Sequence, residues 1–232
     1  MSRPPVLASP PGVERLLREL GPRLRRGGAA GEERGRLPTG LPEIDRLLGG
    51  GLPRGGLCEI AGPASSGRTS LGLALVAQAT AAEEVCAWVD AADGFDPPSA
   101  EAAGAVLERV LWARPAPGPR GAGEALRCTE RLIEAEGFAL VLLDLSGRER
   151  EVPRSAWARL ARAAGASGSA LLVLTRERAA GAQAAVALEL SPARACFGGM
   201  PLLLEALEIE AVVVRHRGAS PARTALLRLA AA

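Results

Sequence analysis

The sequence predicts an α/β fold, with a mainly parallel sheet covered by helices on both faces and an antiparallel extension at the C-terminal end. Up to residue 175, short apolar runs alternate with longer helical segments. Strands that are apolar along their whole length are typical of parallel sheets buried on both faces. After residue 184, strand-like runs follow one another with little helix between them. This change in pattern favours antiparallel pairing there.

Periodicity and the positions of glycine and proline predict the individual elements. Strands are predicted at 56–62, 85–90, 110–113, 139–145 and 170–175, and then at 185–190, 208–215 and 224–229. Helices are predicted at 69–80, 97–109, 123–136 and 153–164, and a short one at 200–206. The segment 113–123 is rich in proline and glycine and predicts a loop.

The chain divides into an N-terminal basic arm at 1–36 and a core at 37–232. In the arm, Val13, Leu16, Leu17 and Leu20 fall at helical spacing, and a glycine-rich linker occupies 27–35. The apolar stripe of this short helix has two interpretations. It packs against its own domain, or it binds a partner protein.

Composition indicates a folded domain with uneven charge. The 232 residues suffice for one substantial core, and an apolar fraction of 48% argues against general disorder. Residues 1–36 hold eight arginines and four glutamates, and residues 215–232 hold four arginines and no acid. These basic ends could contact an acidic partner or a phosphate backbone, or they could be solvated termini.

Several classes of protein are disfavoured. The four cysteines are scattered, no CxxC pair occurs, and His216 is the one histidine, so a metal site built from these side chains is not expected. The N-terminus lacks a hydrophobic signal region, and no apolar run reaches membrane-spanning length. We therefore expect a cytoplasmic protein without membrane contact.

Residues 62–70 (GPASSGRTS) predict a phosphate-binding loop. They follow a predicted strand and open a predicted helix, which is the context in which such a loop turns its backbone N–H groups inward. Those groups and the positive end of the helix form an anion site. The predicted nucleotide-binding residues of the loop are Gly62, Pro63, Ser65, Ser66, Gly67, Arg68, Thr69 and Ser70.

The loop also predicts a magnesium site that would be used only with a bound nucleotide. The hydroxyl of Thr69 is placed to reach the ion. Asp144 ends another apolar strand and is the matching acid, which would hold the metal through water.

Position 68 carries arginine where loops of this kind carry lysine. Arginine keeps the charge but is longer and planar. Three interpretations stay open: the guanidinium binds phosphate, it fills the site itself, or the segment is a glycine-rich turn without a nucleotide. The chain contains no lysine at all, so a coding bias could explain the change. Efficient hydrolysis is not expected, because the lysine is a point charge in a tight cradle.

Residues 37–79 resemble the opening of the RecA core. The likeness rests on the approach LPTGLPEIDRLLGGGLPRGG followed by the loop GPASSGRT. Residues 86–104 resemble the next RecA segment, and residues 140–146 resemble its Walker B strand. The resemblance extends over about 37–175. It implies a RecA-like P-loop core that binds ATP and magnesium, with Asp96 at the position that contacts adenine.

The departures from this resemblance concern chemistry and DNA. RecA has a glutamate that activates water where this chain has Ala92, and an aromatic that stacks on the base where this chain has Ser99. The γ-phosphate-sensing Asn-Gln pair appears as Thr175-Arg176. Both DNA-gripping loops are shortened, to 147–153 and 176–183. The resemblance therefore predicts a degenerate ATPase without efficient hydrolysis.

A RecA-like fold with these losses resembles ImuA, an accessory of bacterial mutagenesis cassettes. That likeness implies a role in the SOS response to DNA damage and in damage-induced translesion synthesis. It implies two partners, the inactive Y-family polymerase of the cassette and RecA, with weak DNA contact at most.

Two alternatives remain. One is an active RecA-fold ATPase, which would need a carboxylate near the γ-phosphate. The other is a single-stranded DNA binder, which would need aromatic and basic side chains in one groove. Trp157 beside Arg154 and Arg159 is the plausible patch of that kind.

Overall fold

The structure is a computed structural model that describes residues 35–115, 121–192, 194–200, 203–218 and 223–230. The predicted arm at 1–36 falls outside these ranges except for its last two residues. The division of the chain into an arm and a core stays a prediction.

The elements alternate between strand and helix through the first three quarters of the chain. The helices are α1 (Pro42–Leu48), α2 (Arg68–Ala81), α3 (Pro97–Ala102), α4 (Gly121–Glu134) and α5 (Arg154–Ser167). The strands are β1 (Arg36–Leu37), β2 (Leu52–Pro53), β3 (Leu57–Ala61), β4 (Cys86–Asp90), β5 (Val110–Ala113), β6 (Leu140–Asp144), β7 (Ala170–Thr175), β8 (Val186–Leu190), β9 (Arg194–Gly198), β10 (Leu203–His216) and β11 (Arg223–Ala230). Short 3-10 turns lie at Leu107–Arg109, Glu149–Glu151 and Gly181–Gln183.

The large sheet confirms the predicted fold class. Its strands run in the order β11-β10-β8-β3-β7-β6-β4-β5, and β9 pairs with β10 beside this path. Strands β8, β3, β7, β6, β4 and β5 are parallel to one another. Strand β10 pairs antiparallel with β8, β9 and β11. The architecture is a RecA-like α/β core with an antiparallel C-terminal extension.

Two apolar layers fill the faces of the sheet. On one face, α2 packs its buried Leu75 in the same cluster as Trp88 of β4 and Leu172 of β7. On the other face, Ile133 of α4 and Leu160 of α5 belong to a second cluster. Five-residue strands such as β3, β4 and β6 are buried at every position. Both faces are therefore covered, as continuous apolar strands require.

The prediction of a helix at 200–206 is wrong, because residues 203–206 form the start of β10. Leu203 and Leu204 pair with Phe197 and Gly198 of β9 in a hairpin. The run LLLEALEIEA fits a helical period as well as a strand period, and pairing between strands decided the outcome. The helix predicted at 97–109 also ends early, at Ala102, before Gly104 with its φ of 93°.

The proposed aromatic and basic patch at Trp157 is wrong as well. The indole of Trp157 is 3% exposed and packs in the second apolar cluster, so it offers no face to a base. Within the described ranges, no helix is both long and apolar enough to span a bilayer.

Candidate nucleotide-binding site

The predicted phosphate loop connects the end of β3 to the first residue of α2. Gly62 N donates to Thr175 O at 3.2 Å, which ties the loop to β7, and Ser66 N donates to Pro63 O at 3.3 Å. Gly67 precedes the helix with a φ of 84° and makes no side-chain cap to it. The N–H groups of the first turn are therefore directed to the space in front of the helix, where an anion would lie.

Position 62 admits no side chain. A Cβ there would lie 2.5 Å from Ser66 Oγ and 2.8 Å from Leu190 O. The first glycine of the loop is required because the backbone turns back against β8 at this point. Sequence and structure thus agree on a tight cradle between a buried strand and its helix.

Arg68 is the first residue of α2, and its side chain turns toward the end of β6. The residue is only 8% exposed, and Arg68 Nη1 donates to Ser146 Oγ at 2.6 Å. Burial lowers the pKa of the guanidinium, and Asp144 opposes that shift while Arg176 adds to it. The arginine at the lysine position therefore belongs to the site rather than to the solvent.

Asp144 lies at the end of β6 and is bonded to its own chain. Asp144 Oδ1 accepts hydrogen bonds from Ser146 N at 2.9 Å and from Ser146 Oγ at 2.6 Å. The carboxylate is 1% exposed, and burial raises its pKa. Asp90, its neighbour on β4, raises the pKa further, whereas the bonds from Ser146 and the charge of Arg68 lower it.

By the resemblance to RecA, Ala92 occupies the position of the water-activating glutamate. The acidic side chains beside it form hydrogen bonds or an ion pair. Asp90 accepts from Gly94 N at 2.9 Å, and its other oxygen accepts from Phe95 N and from the Trp112 indole. Asp93 has a φ of 56° and pairs with Arg114 at 2.6 Å. A cleft of about 430 Å³ beside Ala92 is lined in part by these acids and by Arg114.

Sequence reasoning missed two buried glutamates that hold the segments next to the site. Glu59 of β3 is 1% exposed and accepts from Ala179 N at 2.6 Å and Ala180 N at 3.1 Å. Glu149 is 6% exposed and accepts from Gly147 N at 2.8 Å and Glu177 N at 3.2 Å. The signal for Glu59 was a lone acid inside an apolar strand, since a buried charge needs partners.

A second cleft opens beside the start of α2, with a volume of about 560 Å³. It brings the predicted Thr69, Ser70 and Asp96 together, with Ser99 beside them. The C-terminal strands close one side of it through Leu204, Leu207 and Arg228. A cleft of this volume is typical of small-molecule sites.

Asp96 also starts a helix. Asp96 Oδ2 accepts from Ser99 N at 2.9 Å and from Ser99 Oγ at 2.6 Å, which caps α3. These two bonds lower the pKa of its carboxyl. Ser99, the residue that replaces the expected aromatic, therefore binds the aspartate instead of offering a stacking surface.

The structure brings the predicted site residues into one region. The loop 62–70 meets Asp144 through Arg68 and Ser146, and Asp96 faces the same cleft as Thr69 and Ser70. The contact role of Ser146 was not predicted, because a single serine after a strand does not form a recognisable sequence motif. That these groups hold ATP and magnesium stays a prediction.

The fold and the loop define the class of protein: a P-loop protein with the RecA-like α/β architecture. A family model described as the RecA N-terminal domain matches residues 21–154. The chain belongs to this RecA family.

Curated relatives carry the name RecA. The Picosynechococcus sp. protein is 35% identical over 52% of this chain and 34% of its own length. The Methylococcus capsulatus protein is 41% identical over 47% of this chain and 30% of its own length. The chain thus spans about a third of the relatives it matches. The crystal structure of the RadB recombinase has a similar fold, with a TM-score of 0.62 at 23% identity, over 83% of this chain and 95% of the other.

Proposed function

We propose that this chain is a DNA-repair accessory protein of the RecA family that binds a nucleotide without hydrolysing it efficiently. It supports damage-induced translesion synthesis in the SOS response through protein contacts. Its partners are the inactive Y-family polymerase of a mutagenesis cassette and RecA itself. The RecA relatives support the link to DNA repair, and the ImuA likeness supports the partners.

One observation supports the proposal most. The loop keeps the geometry of a phosphate cradle, while the carboxylates around it already form hydrogen bonds or ion pairs with other groups of the chain. A general base must reach the attacking water with a free carboxylate. Asp90, Asp93, Asp144 and Glu149 each accept hydrogen bonds or form an ion pair within the described part of the chain. Position 92 itself is alanine. A site built this way can bind a nucleotide but offers its hydrolysis little help.

The segments that correspond to the DNA-gripping loops support a role that does not depend on DNA binding. Glu149 bonds to backbone N–H groups at both segments, at Gly147 and Glu177. Glu59 binds the second segment from the strand beneath it. Loops fastened at these points are less able to close around a strand than long free loops are.

Calorimetry with ATP tests the nucleotide half of the proposal. A ligand present at 100 times its dissociation constant should stabilise the fold by about 2.7 kcal/mol, which a thermal melt detects. Hydrolysis by the wild type should not exceed that of Arg68→Ala. A turnover that Arg68→Ala abolishes would support the alternative of an active ATPase. If ATP produces neither a heat of binding nor a shift in melting temperature, the proposal that the chain binds a nucleotide is wrong.

Binding to the two partner proteins tests the accessory half. Full-length chain should bind the cassette polymerase and RecA, and a truncation that starts at Gly35 should weaken that binding. The truncation keeps β1, which pairs with β2, and a melting temperature equal to that of the full chain checks that the core is intact. Affinity for single-stranded DNA is the contrasting measurement. Tight DNA binding combined with no affinity for either protein would replace the accessory role by that of a DNA binder.

A further inference from the structure

The loop contains buried polar atoms without a protein partner. Ser66 is 1% exposed and Arg68 is 8% exposed, yet Ser66 Oγ and Arg68 Nε have no hydrogen-bond partner. An unsatisfied buried polar group destabilises the folded state. Ser66 lies in the loop, and Arg68 is the first residue of α2. This arrangement indicates a site completed by an anionic ligand with acceptor oxygens.

Asp144, the acid that would hold a metal, is already connected to the guanidinium of Arg68. Arg68 Nη1 donates to Ser146 Oγ at 2.6 Å, and Ser146 Oγ donates to Asp144 Oδ1 at 2.6 Å. A single hydroxyl therefore connects the guanidinium to the carboxylate. Because Ser146 N also donates to Asp144 Oδ1 at 2.9 Å, that oxygen is fully engaged.

The second oxygen of Asp144 is covered. A Cβ on Gly94 would lie 2.9 Å from Asp144 Oδ2, so the backbone of Gly94 rests directly on it. Magnesium needs near-octahedral oxygen ligands at about 2.0–2.1 Å and keeps several waters. With a carboxylate that is 1% exposed, the residues around this acid do not fit a hydrated magnesium ion.

A second arginine lies against the segment that Arg68 contacts at Ser146. The side chain of Arg176 covers Gly147, where an added Cβ would be 3.3 Å from Arg176 Nε. Burial lowers the pKa of the Arg68 guanidinium, and the charge of Arg176 contributes to the same shift. Two neighbouring cations repel each other, and an anion between them relieves the repulsion.

We propose that this site binds the polyphosphate of a nucleotide without a divalent metal ion. Arg68 and Arg176 supply the positive charge that magnesium supplies in other P-loops. The inference rests on the proposed nucleotide binding and states how that site is regulated. Metal availability does not control its occupancy.

The test is calorimetric titration of the full chain with ATP and with ADP, in excess magnesium and in excess EDTA. The dissociation constants in the two buffers should agree within about threefold, a difference of about 0.7 kcal/mol or less. Binding that requires magnesium, or that magnesium tightens by more than about threefold, overturns the metal-free site but leaves nucleotide binding in place. Binding in neither buffer overturns both.

Arg68→Lys sharpens the test. A lysine is a compact point charge and cannot span to Ser146 in the same geometry, whereas Asp144 keeps its two bonds from Ser146 and stays close to Gly94. Because the carboxylate stays closed to a metal, this variant should bind ATP equally well in magnesium and in EDTA, within about threefold; weakening by EDTA of at least about tenfold would overturn the metal-free site. Arg46→Lys, at a side chain 75% exposed on α1, is the matched control and should behave like wild type.

A second variant keeps the test decisive where Arg68→Lys folds poorly. Arg176 is exposed, so Arg176→Ala should leave the melting temperature unchanged. It should weaken ATP binding in EDTA by about tenfold through loss of one charge. Unchanged affinity in EDTA would overturn the assignment of the cationic role to this pair.

Discussion

At the scale of single residues, Asp144 shows how much of the site depends on a buried charge. Its carboxylate is 1% exposed and lies next to Asp90 across the β4–β6 pair. Desolvation and this like charge raise its pKa, and the bonds from Ser146 only partly compensate. The protonation of this group therefore couples folding to pH.

Substitution of Asp144 by asparagine should change the pH dependence of stability. The pKa of this carboxyl is higher in the folded protein than in the unfolded chain, so its stabilisation is fully present below the unfolded pKa. The stabilisation is lost as pH rises through the folded pKa, and a tenfold difference between the two acid constants corresponds to about 1.4 kcal/mol. Urea unfolding from pH 4 to 8 should show wild type losing stability relative to Asp144→Asn. A constant difference across this range would contradict the raised pKa.

The cysteines give an independent check of burial. Burial raises the pKa of the Cys58 and Cys86 thiols to about 12, and both are 0–1% exposed. A thiolate is the reactive form, so these two should resist a thiol reagent at pH 8 in the folded protein. Cys128 and Cys196 are partly exposed and should react. All four should react in urea, and rapid native labelling of Cys58 would contradict the packing of β3.

The sequence was most informative where chemistry needs several residues in a fixed spacing. The loop 62–70 was identified because glycines, hydroxyls and a cation recur there between strand and helix. Ser146 and Glu59 could not be found this way, since each acts alone through a contact to a distant segment. The helix predicted at 200–206 failed because the hairpin of β9 and β10 depends on pairing between strands. Local periodicity does not contain that information.

At the scale of elements, β3 leads into the loop and also holds the segment that follows β7. Glu59 sits in its centre and binds Ala179 N and Ala180 N, beyond the end of the neighbouring β7. Thr175 Oγ1 donates to the same carboxylate oxygen at 3.4 Å. The strand therefore fixes the segment that carries Arg176 into the site.

Glu59→Ala should loosen this segment. Loss of a charged acceptor for buried N–H groups costs about 2–4 kcal/mol in the free energy of unfolding, from the lost bonds and the unsatisfied donors. Hydrogen exchange at Ala179 and Ala180 should accelerate more than exchange in β7. Glu59→Gln keeps one acceptor oxygen and should show a smaller effect. Equal exchange in Glu59→Ala and wild type would show that the carboxylate does not hold the segment.

At the scale of the whole molecule, one apolar cluster joins the first and last described elements. Leu37 of β1, Leu75 of α2 and Leu227 of β11 all belong to it. The antiparallel extension is thus part of the same core as the phosphate loop, and its Leu204 and Leu207 line the cleft beside Thr69. A structure connected in this way should unfold as one unit.

The adjacent leucines of β11 provide a matched test of that cooperativity. Leu227 is 2% exposed and Leu226 is 68% exposed. Leu227→Ala should lower the free energy of unfolding by about 2–4 kcal/mol through a cavity in the shared core, whereas Leu226→Ala should change it by less than about 0.5 kcal/mol. Trp88 and Trp112 lie on the far strands β4 and β5, and Trp157 lies on α5, so the fluorescence of the three tryptophans reports elements other than the C-terminal strands. In Leu227→Ala the fluorescence and circular dichroism transitions should shift together. A fluorescence midpoint that stays at the wild-type value while circular dichroism moves would mean that the C-terminal strands unfold independently. These strands would then not support the cleft beside Thr69.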